Sequence, residues 1–150
     1  MKVLVTGANG FVGHALIAEA VSRGIVVRGI TRVSGDLPIS VESFAVGGID
    51  GNTNWRDGLM GCKTVIHLAA RAHVIADSAT NPLEEYRKIN VQGTLNLARQ
   101  AVTVGVRRFL FISSIKVNGE ATQLEQPFTA DDTPAPLDAY GVSKMEAEQG

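Results

Sequence analysis

Short apolar runs alternate with longer stretches of helical periodicity along the chain. Val3-Val5, Ile25-Ile30, Val65-Leu68 and Phe109-Ile112 read as strands buried on both faces. Between the first two runs, Gly13, Leu16, Ile17, Ala20 and Val21 follow an i, i+3, i+4, i+7, i+8 spacing, which predicts a helix over about 11–23 with one face on a sheet. Gly24 supplies its stop signal. A weaker strand near Ser43-Val46, a short helix near Asn54-Met60 and a long helix from about Pro82 to Val104 fill the intervals. Such alternation predicts an α/β architecture with a doubly wound parallel sheet in the order 3-2-1-4-5.

Beyond the fourth run, Asn118 to Asp138 carries Pro127, Pro134, Pro136 and the pair Asp131-Asp132, the composition of a long surface loop. A last helical pattern starts at Ala139 and reaches Gly150 with no clear stop signal. No fixed-period repeat or linker interrupts the pattern, so residues 1–150 are expected to form one domain, truncated within this last helix, with a C-terminal substrate portion absent.

Composition narrows the function classes. The 14 Lys and Arg against 15 Asp and Glu give a net charge of −1, which argues against nucleic acid held by a basic surface. With 45% hydrophobic and 19% charged residues the chain can bury a core and does not have a disordered composition. No apolar stretch approaches the roughly 18 residues of a membrane span. Met1-Lys2-Val3-Leu4-Val5 leads straight into a strand pattern, so a cytoplasmic location without membrane insertion is expected. Cys62 is the single cysteine and has no Cys or His at ligand spacing, so neither a disulfide nor a metal site is expected.

Thr6-Gly7-Ala8-Asn9-Gly10-Phe11-Val12-Gly13 lies between the first strand and the first helix. Gly7 permits a tight turn, Gly10 lets the backbone approach a pyrophosphate, and Gly13 is expected to pack the helix closely on the strand. Free N–H groups at the helix start would face the phosphates. With Gly-x-x-Gly-x-x-Gly spacing, one residue different from the usual Rossmann fingerprint, the segment resembles the extended branch of the short-chain dehydrogenase/reductase superfamily, and that resemblance implies a Rossmann domain that binds NAD or NADP. Gly7, Asn9, Gly10, Phe11, Val12 and Gly13 are the cradle residues it implies. At the end of the second strand Thr31 stands where an acid would hold the NAD ribose, and Arg32 is placed to pair with a 2′-phosphate, which favours NADP; Asp36 is an alternative partner for the ribose. Asp50 stands where relatives place an acid against the adenine amine.

Tyr140-Gly141-Val142-Ser143-Lys144 puts a phenol and an ammonium at i and i+4 on one helix face. Taken alone the pair reads equally as a solvated surface of an amphipathic helix. Its location after the fifth strand, whose end carries Ser113-Ser114, puts it at the sheet edge where open α/β folds bind ligands. Ser114, Tyr140 and Lys144 resemble the family's catalytic triad, with the serine 26 residues before the tyrosine. Positive charge beside a phenol favours the phenolate, so Tyr140 could shuttle an alcohol proton while Ser114 holds the substrate oxygen and Lys144 the nicotinamide ribose. Leu68, Ala69 and Ala70 match the family's fourth strand and the turn where backbone approaches cofactor. Asn90 falls on the apolar face shared by Tyr86, Ile89, Gly93, Leu97, Ala101 and Val104, so it should bond something buried. In relatives the matching Asn braces the active-site turn, and Asn90 is carried as a cofactor-side residue. His67 reads as a satisfied strand-end residue rather than a catalyst, His14 and His73 carry weaker signals still, and Arg71 reads as a solvated loop cation.

Phe111 through Gly119 and Asp131 through Lys144 are similar to the NAD-dependent epimerase/dehydratase family: UDP-glucose 4-epimerases and UDP-4-keto-6-deoxy-N-acetylhexosamine 4-reductases of polysaccharide synthesis. The resemblance implies an enzyme acting at C4 of a UDP-sugar, a nucleotide-sugar substrate as partner, and a homodimer at full length. This portion alone is expected to be inactive. A reductase of a non-sugar carbonyl and a non-catalytic dinucleotide sensor are the alternatives, the latter opposed by the presence of both Tyr140 and Lys144.

Overall fold

The computed structural model describes residues 1–33, 37–72 and 80–150; Asp36 and His73 lie outside the described residues. In chain order the elements are β1 (Lys2–Thr6), α1 (Phe11–Ser22), β2 (Val26–Thr31), β3 (Glu42–Ala45), α2 (Arg56–Leu59), β4 (Cys62–His67), α3 (Pro82–Tyr86), a π-helical segment (Arg87–Gly93), α4 (Thr94–Thr103), β5 (Arg108–Phe111), a 3-10 turn (Ile115–Val117) and α5 (Ala139–Gln149). The five strands pair in parallel in the order β3-β2-β1-β4-β5, the order expected for a doubly wound Rossmann sheet.

Alternation along β1 builds both layers of the core. Leu4 points to one face, where Ile30, Trp55, Leu59, Val65, Leu97 and Ala101 pack under α2 and α4. Val3 and Val5 point to the other, against Val27, Val41 and Ile17 of α1. Val21 is exposed rather than packed, because α1 ends one residue later and turns away at Gly24, whose φ is +68°. The fourth run was expected to be buried on both faces. Instead Leu110 and Ile112 are 44% and 46% exposed, because β5 is the sheet's edge and α1 covers β1 and β2 rather than this end.

The long helix exists but is not uniform: its middle seven residues are wound as a π-helix. Tyr86, Asn90, Gly93, Thr94, Leu97 and Ala101 are buried, and of the expected face Ile89 and Val104 are only half-buried. Register aligns the strand ends that matter: Thr6 lies level with Ile30 and His67, and His67 with Phe111. The turn after β1, the turn after β4 and the Ser113-Ser114 segment therefore share one edge of the sheet.

Candidate active site

A groove of about 610 Å3 runs along that edge. Gly7, Asn9 and Gly10 form one wall, Thr31 and Arg32 the end beyond β2, and Leu68, Ala69 and Ala70 the opposite wall. Gly7 has φ +65°, and a Cβ there would sit 3.0 Å from Ala69 N, so only glycine lets the β1 and β4 turns meet. At Gly13 a Cβ would lie 2.2 Å from Gly7 O and 2.7 Å from Ala8 O. The third glycine thus seats the helix on the turn itself, correcting the expectation that it packs on the strand. α1 begins after Gly10 with no side-chain cap on its first N–H groups. A narrow glycine turn, an uncapped helix start and an open groove fit the pyrophosphate of a dinucleotide.

Not every expected cradle residue faces this groove. The Phe11 and Val12 side chains are 96% and 55% exposed and do not line it; what they can offer is backbone at the helix start. Thr31 is buried and spends its proton on Val33 O at 2.7 Å. Asp50 lies outside the groove lining, its Oδ1 accepting from Asn52 N (2.8 Å) and Thr53 Oγ1 (3.3 Å), which closes its own turn and holds its carboxyl below the usual range. In its place Gly47, Gly48 and Ile49 line the wall after β3. Sequence reasoning missed these three, and Ile89 as well, because they act through position on a loop or a widened helix turn rather than through a recognisable side chain.

The catalytic candidates gather at the other end of the edge, on α5 and the β5 exit. Asp138 starts α5 by accepting from Gly141 N at 2.6 Å, and Lys116 Nζ donates to its other oxygen at 2.7 Å. A Cβ at Gly141 would meet Lys116 O at 2.7 Å, so this glycine lets α5 press against the 3-10 turn. Ser114 caps that turn, accepting from Lys116 N at 3.3 Å. Tyr140 is half-buried with its ring edge-on to Tyr86 at 6.2 Å. Lys144 is 2% exposed, donates to Ile112 O at 2.6 Å and lies 3.9 Å above the Phe111 ring. Desolvation pulls its ammonium down to about 8, against a small upward pull from Glu148.

Asn90 does not face the groove. Its Oδ1 accepts from Arg71 N (2.8 Å) and its Nδ2 donates to Arg71 O (3.1 Å) and Ser143 Oγ (2.9 Å), so every polar atom is spent inside the protein. It ties the turn after β4 to α5, and its placement as a cofactor-side residue is corrected on this geometry. Arg71 itself lines the groove and stacks over Tyr86 at 5.3 Å, so it is not merely a solvated cation. His67 is buried between Thr6 (2.6 Å) and Thr94 (3.0 Å). Burial first, and the Lys144 charge second, depress its imidazole to about 3. Among the described residues no cluster of His, Cys, Asp or Glu could hold a metal ion, and no helix is long and apolar enough to cross a membrane.

Residues 3–150 match the model of the NAD dependent epimerase/dehydratase family. A UDP-glucose 4-epimerase of Vibrio cholerae is 43% identical over 99% of this chain and 45% of its own length. A 3-beta-hydroxysteroid dehydrogenase of Mycolicibacterium neoaurum is 32% identical over 99% of this chain and 42% of its own. The solved structure of MoeE5 in complex with UDP-glucuronic acid and NAD superposes with a TM-score of 0.81 at 36% identity, covering 99% of this chain and 48% of that one. The chain thus spans about half the length of the curated relatives it matches.

Proposed function

The chain belongs to the NAD dependent epimerase/dehydratase family, and from that premise we propose that it binds a nicotinamide dinucleotide in the groove over Gly7 and Gly10 and carries the acid–base residues of a nucleotide-sugar oxidoreductase. The whole protein then acts at C4 of a UDP-sugar, as a UDP-glucose 4-epimerase-like enzyme or as a UDP-4-keto-6-deoxy-N-acetylhexosamine 4-reductase. The observation that carries this reading is continuity: the groove leads from the glycine turn to Arg71, and Asn90 ties Arg71 to Ser143 on the helix that bears Tyr140 and Lys144. A 43% identical relative that is a UDP-glucose 4-epimerase supports the substrate class.

When bound, the nicotinamide would supply hydride exchange with the sugar carbon. The chain's own groups do the rest. Lys144 spends one of its three donors on Ile112 O, leaving others for a ribose hydroxyl. With its ammonium at about 8 it is mostly charged at neutral pH, and it stands one helical turn from Tyr140 on α5. Tyr140 takes the proton from the C4 hydroxyl or returns it. Ser114 accepts from Lys116 N, which leaves its own proton to donate to the substrate oxygen. Arg32, exposed at the groove's rim, would pair with a 2′-phosphate and favour NADP over NAD.

Titration of the chain with NAD and NADP tests the groove: dissociation constants below millimolar are expected, with NADP the tighter. Binding of neither would overturn the reading, and equal affinities would remove the role of Arg32. In a protein of the relatives' full length, Tyr140→Phe should cut UDP-sugar turnover by at least about 100-fold while leaving dinucleotide affinity near parent level.

A further inference from the structure

His67 sits inside a run of hydrogen bonds, joined through the covalent frame of Asn90, whose direction can be assigned atom by atom. Leu68 N and Ala69 N both donate to Thr6 Oγ1, at 3.2 and 3.1 Å. That oxygen's own proton is then free to go to His67 Nδ1, 2.6 Å away. At the other side of the ring, Thr94 Oγ1 donates to Asn90 O at 2.6 Å, so it can only accept from His67 Nε2 at 3.0 Å. The imidazole is therefore neutral and carries its proton on Nε2. From Asn90 the run continues through Nδ2 to Ser143 Oγ at 2.9 Å, and Ser143 donates to Tyr140 O at 2.8 Å. Phe109 and Phe111 flank the ring at 6.1 and 6.0 Å, which holds it in a dry slot.

We infer that His67 and Thr94 are positioning residues that hold the glycine-turn end of the sheet in register with the backbone of Tyr140, the neutral Nε2–H imidazole serving as the rigid link between them. The run spans β1, β4, the π-helical segment, α4 and α5, and Asn90 bonds both Arg71 and Ser143. A charged imidazole would have to donate at both nitrogens, and Thr6 Oγ1, already accepting two backbone N–H groups, has little capacity for a third. The significance of Tyr140 in this inference rests on the proton-transfer role proposed above; the register does not.

Nitrogen-detected NMR of the parent chain reads the tautomer directly. A proton fixed on Nε2, with no titration of His67 between pH 8 and 5, is expected; an Nδ1–H form, or titration near pH 6.5, would overturn the inference without any variant being made. Amide exchange then tests transmission. Thr94→Val should speed exchange of the Arg71 amide about fivefold, the worth of one hydrogen bond, and shift the Ser143 and Tyr140 amide resonances, while Thr94→Ser restores the parent values. Equal acceleration at Arg71 and at core amides such as Leu97 and Val65 would mean general loosening and would overturn the positioning role. So would an unchanged Arg71 amide. Failure of the parent to bind NAD would remove the functional reading and leave these outcomes intact.

Discussion

The two ends of the same sheet edge are built in opposite ways. The groove end leans on backbone: Gly7, Gly10, Gly47 and Gly48 and a bare helix start, with apolar side chains and two arginines completing the lining. The α5 end is made of buried side chains, with His67, Asn90, Thr94, Ser143 and Lys144 all nearly inaccessible and bonded to one another or to backbone. An open backbone cradle leaves room for a ligand to settle, whereas a closed polar network fixes one geometry before a ligand arrives. In the proposed function the acid–base chemistry would rest on the closed end and the pyrophosphate on the open one.

The largest expected effect breaks the cradle. Gly13→Ala places a methyl 2.2 Å from Gly7 O and 2.7 Å from Ala8 O, and backbone carbonyls in a tight turn cannot step aside as a flexible side chain would. A stability loss of about 3 kcal/mol is expected, at the upper end for overpacking, together with loss of NAD binding. Urea unfolding followed by the fluorescence of Trp55, the single tryptophan and fully buried, measures the first.

A smaller effect separates the two ends by pH. His67 is depressed to about 3 in the folded chain, so between its unfolded value near 6.5 and that point the unfolded state binds the extra proton. Stability is therefore full above about 6.5 and falls as pH drops. At pH 5 the loss is set almost wholly by the unfolded chain and comes to about 2 kcal/mol relative to pH 7. His67→Gln should remove that slope while keeping a donor toward Thr94, and the difference between variant and parent unfolding curves at the two pH values isolates it from the carboxylates. A parallel pair of curves would show that His67 is not neutral in the folded state.

The contrast also explains which parts were legible in the amino-acid sequence. The strand order and the glycine turn could be read, because alternating apolar runs and glycine spacing act through backbone and burial. Ser114, Tyr140 and Lys144 could be singled out by their place after the fifth strand and by family resemblance. What could not be read was partnership. Asn90 was expected to bond something buried, but nothing in its spacing names Arg71 and Ser143 as the groups it joins, since one lies in the turn after β4 and the other on α5. Asp50 is the reverse case: an acid in the expected place turns one carboxylate oxygen into its own turn. The exposure of Leu110 and Ile112 was missed because a buried strand and an edge strand share one hydrophobic pattern, although the expected order 3-2-1-4-5 already puts the fifth strand at the sheet's edge.

The smallest expected effect tests whether the groove end truly works through backbone. Phe11 opens α1 with its ring 96% exposed and outside the groove lining, so it neither packs in the core nor faces the ligand. Its main-chain N–H, however, belongs to the uncapped first turn, where a phosphate is expected to sit. Phe11→Ser keeps that N–H and removes only the ring. Stability should change by less than about 0.5 kcal/mol, as for other exposed positions, and the NAD dissociation constant should stay within about twofold, which corresponds to the same energy. Calorimetric titration of the two chains side by side decides it. A tenfold weakening would mean that the ring covers the bound dinucleotide, and the cradle would then depend on a side chain as the α5 end does.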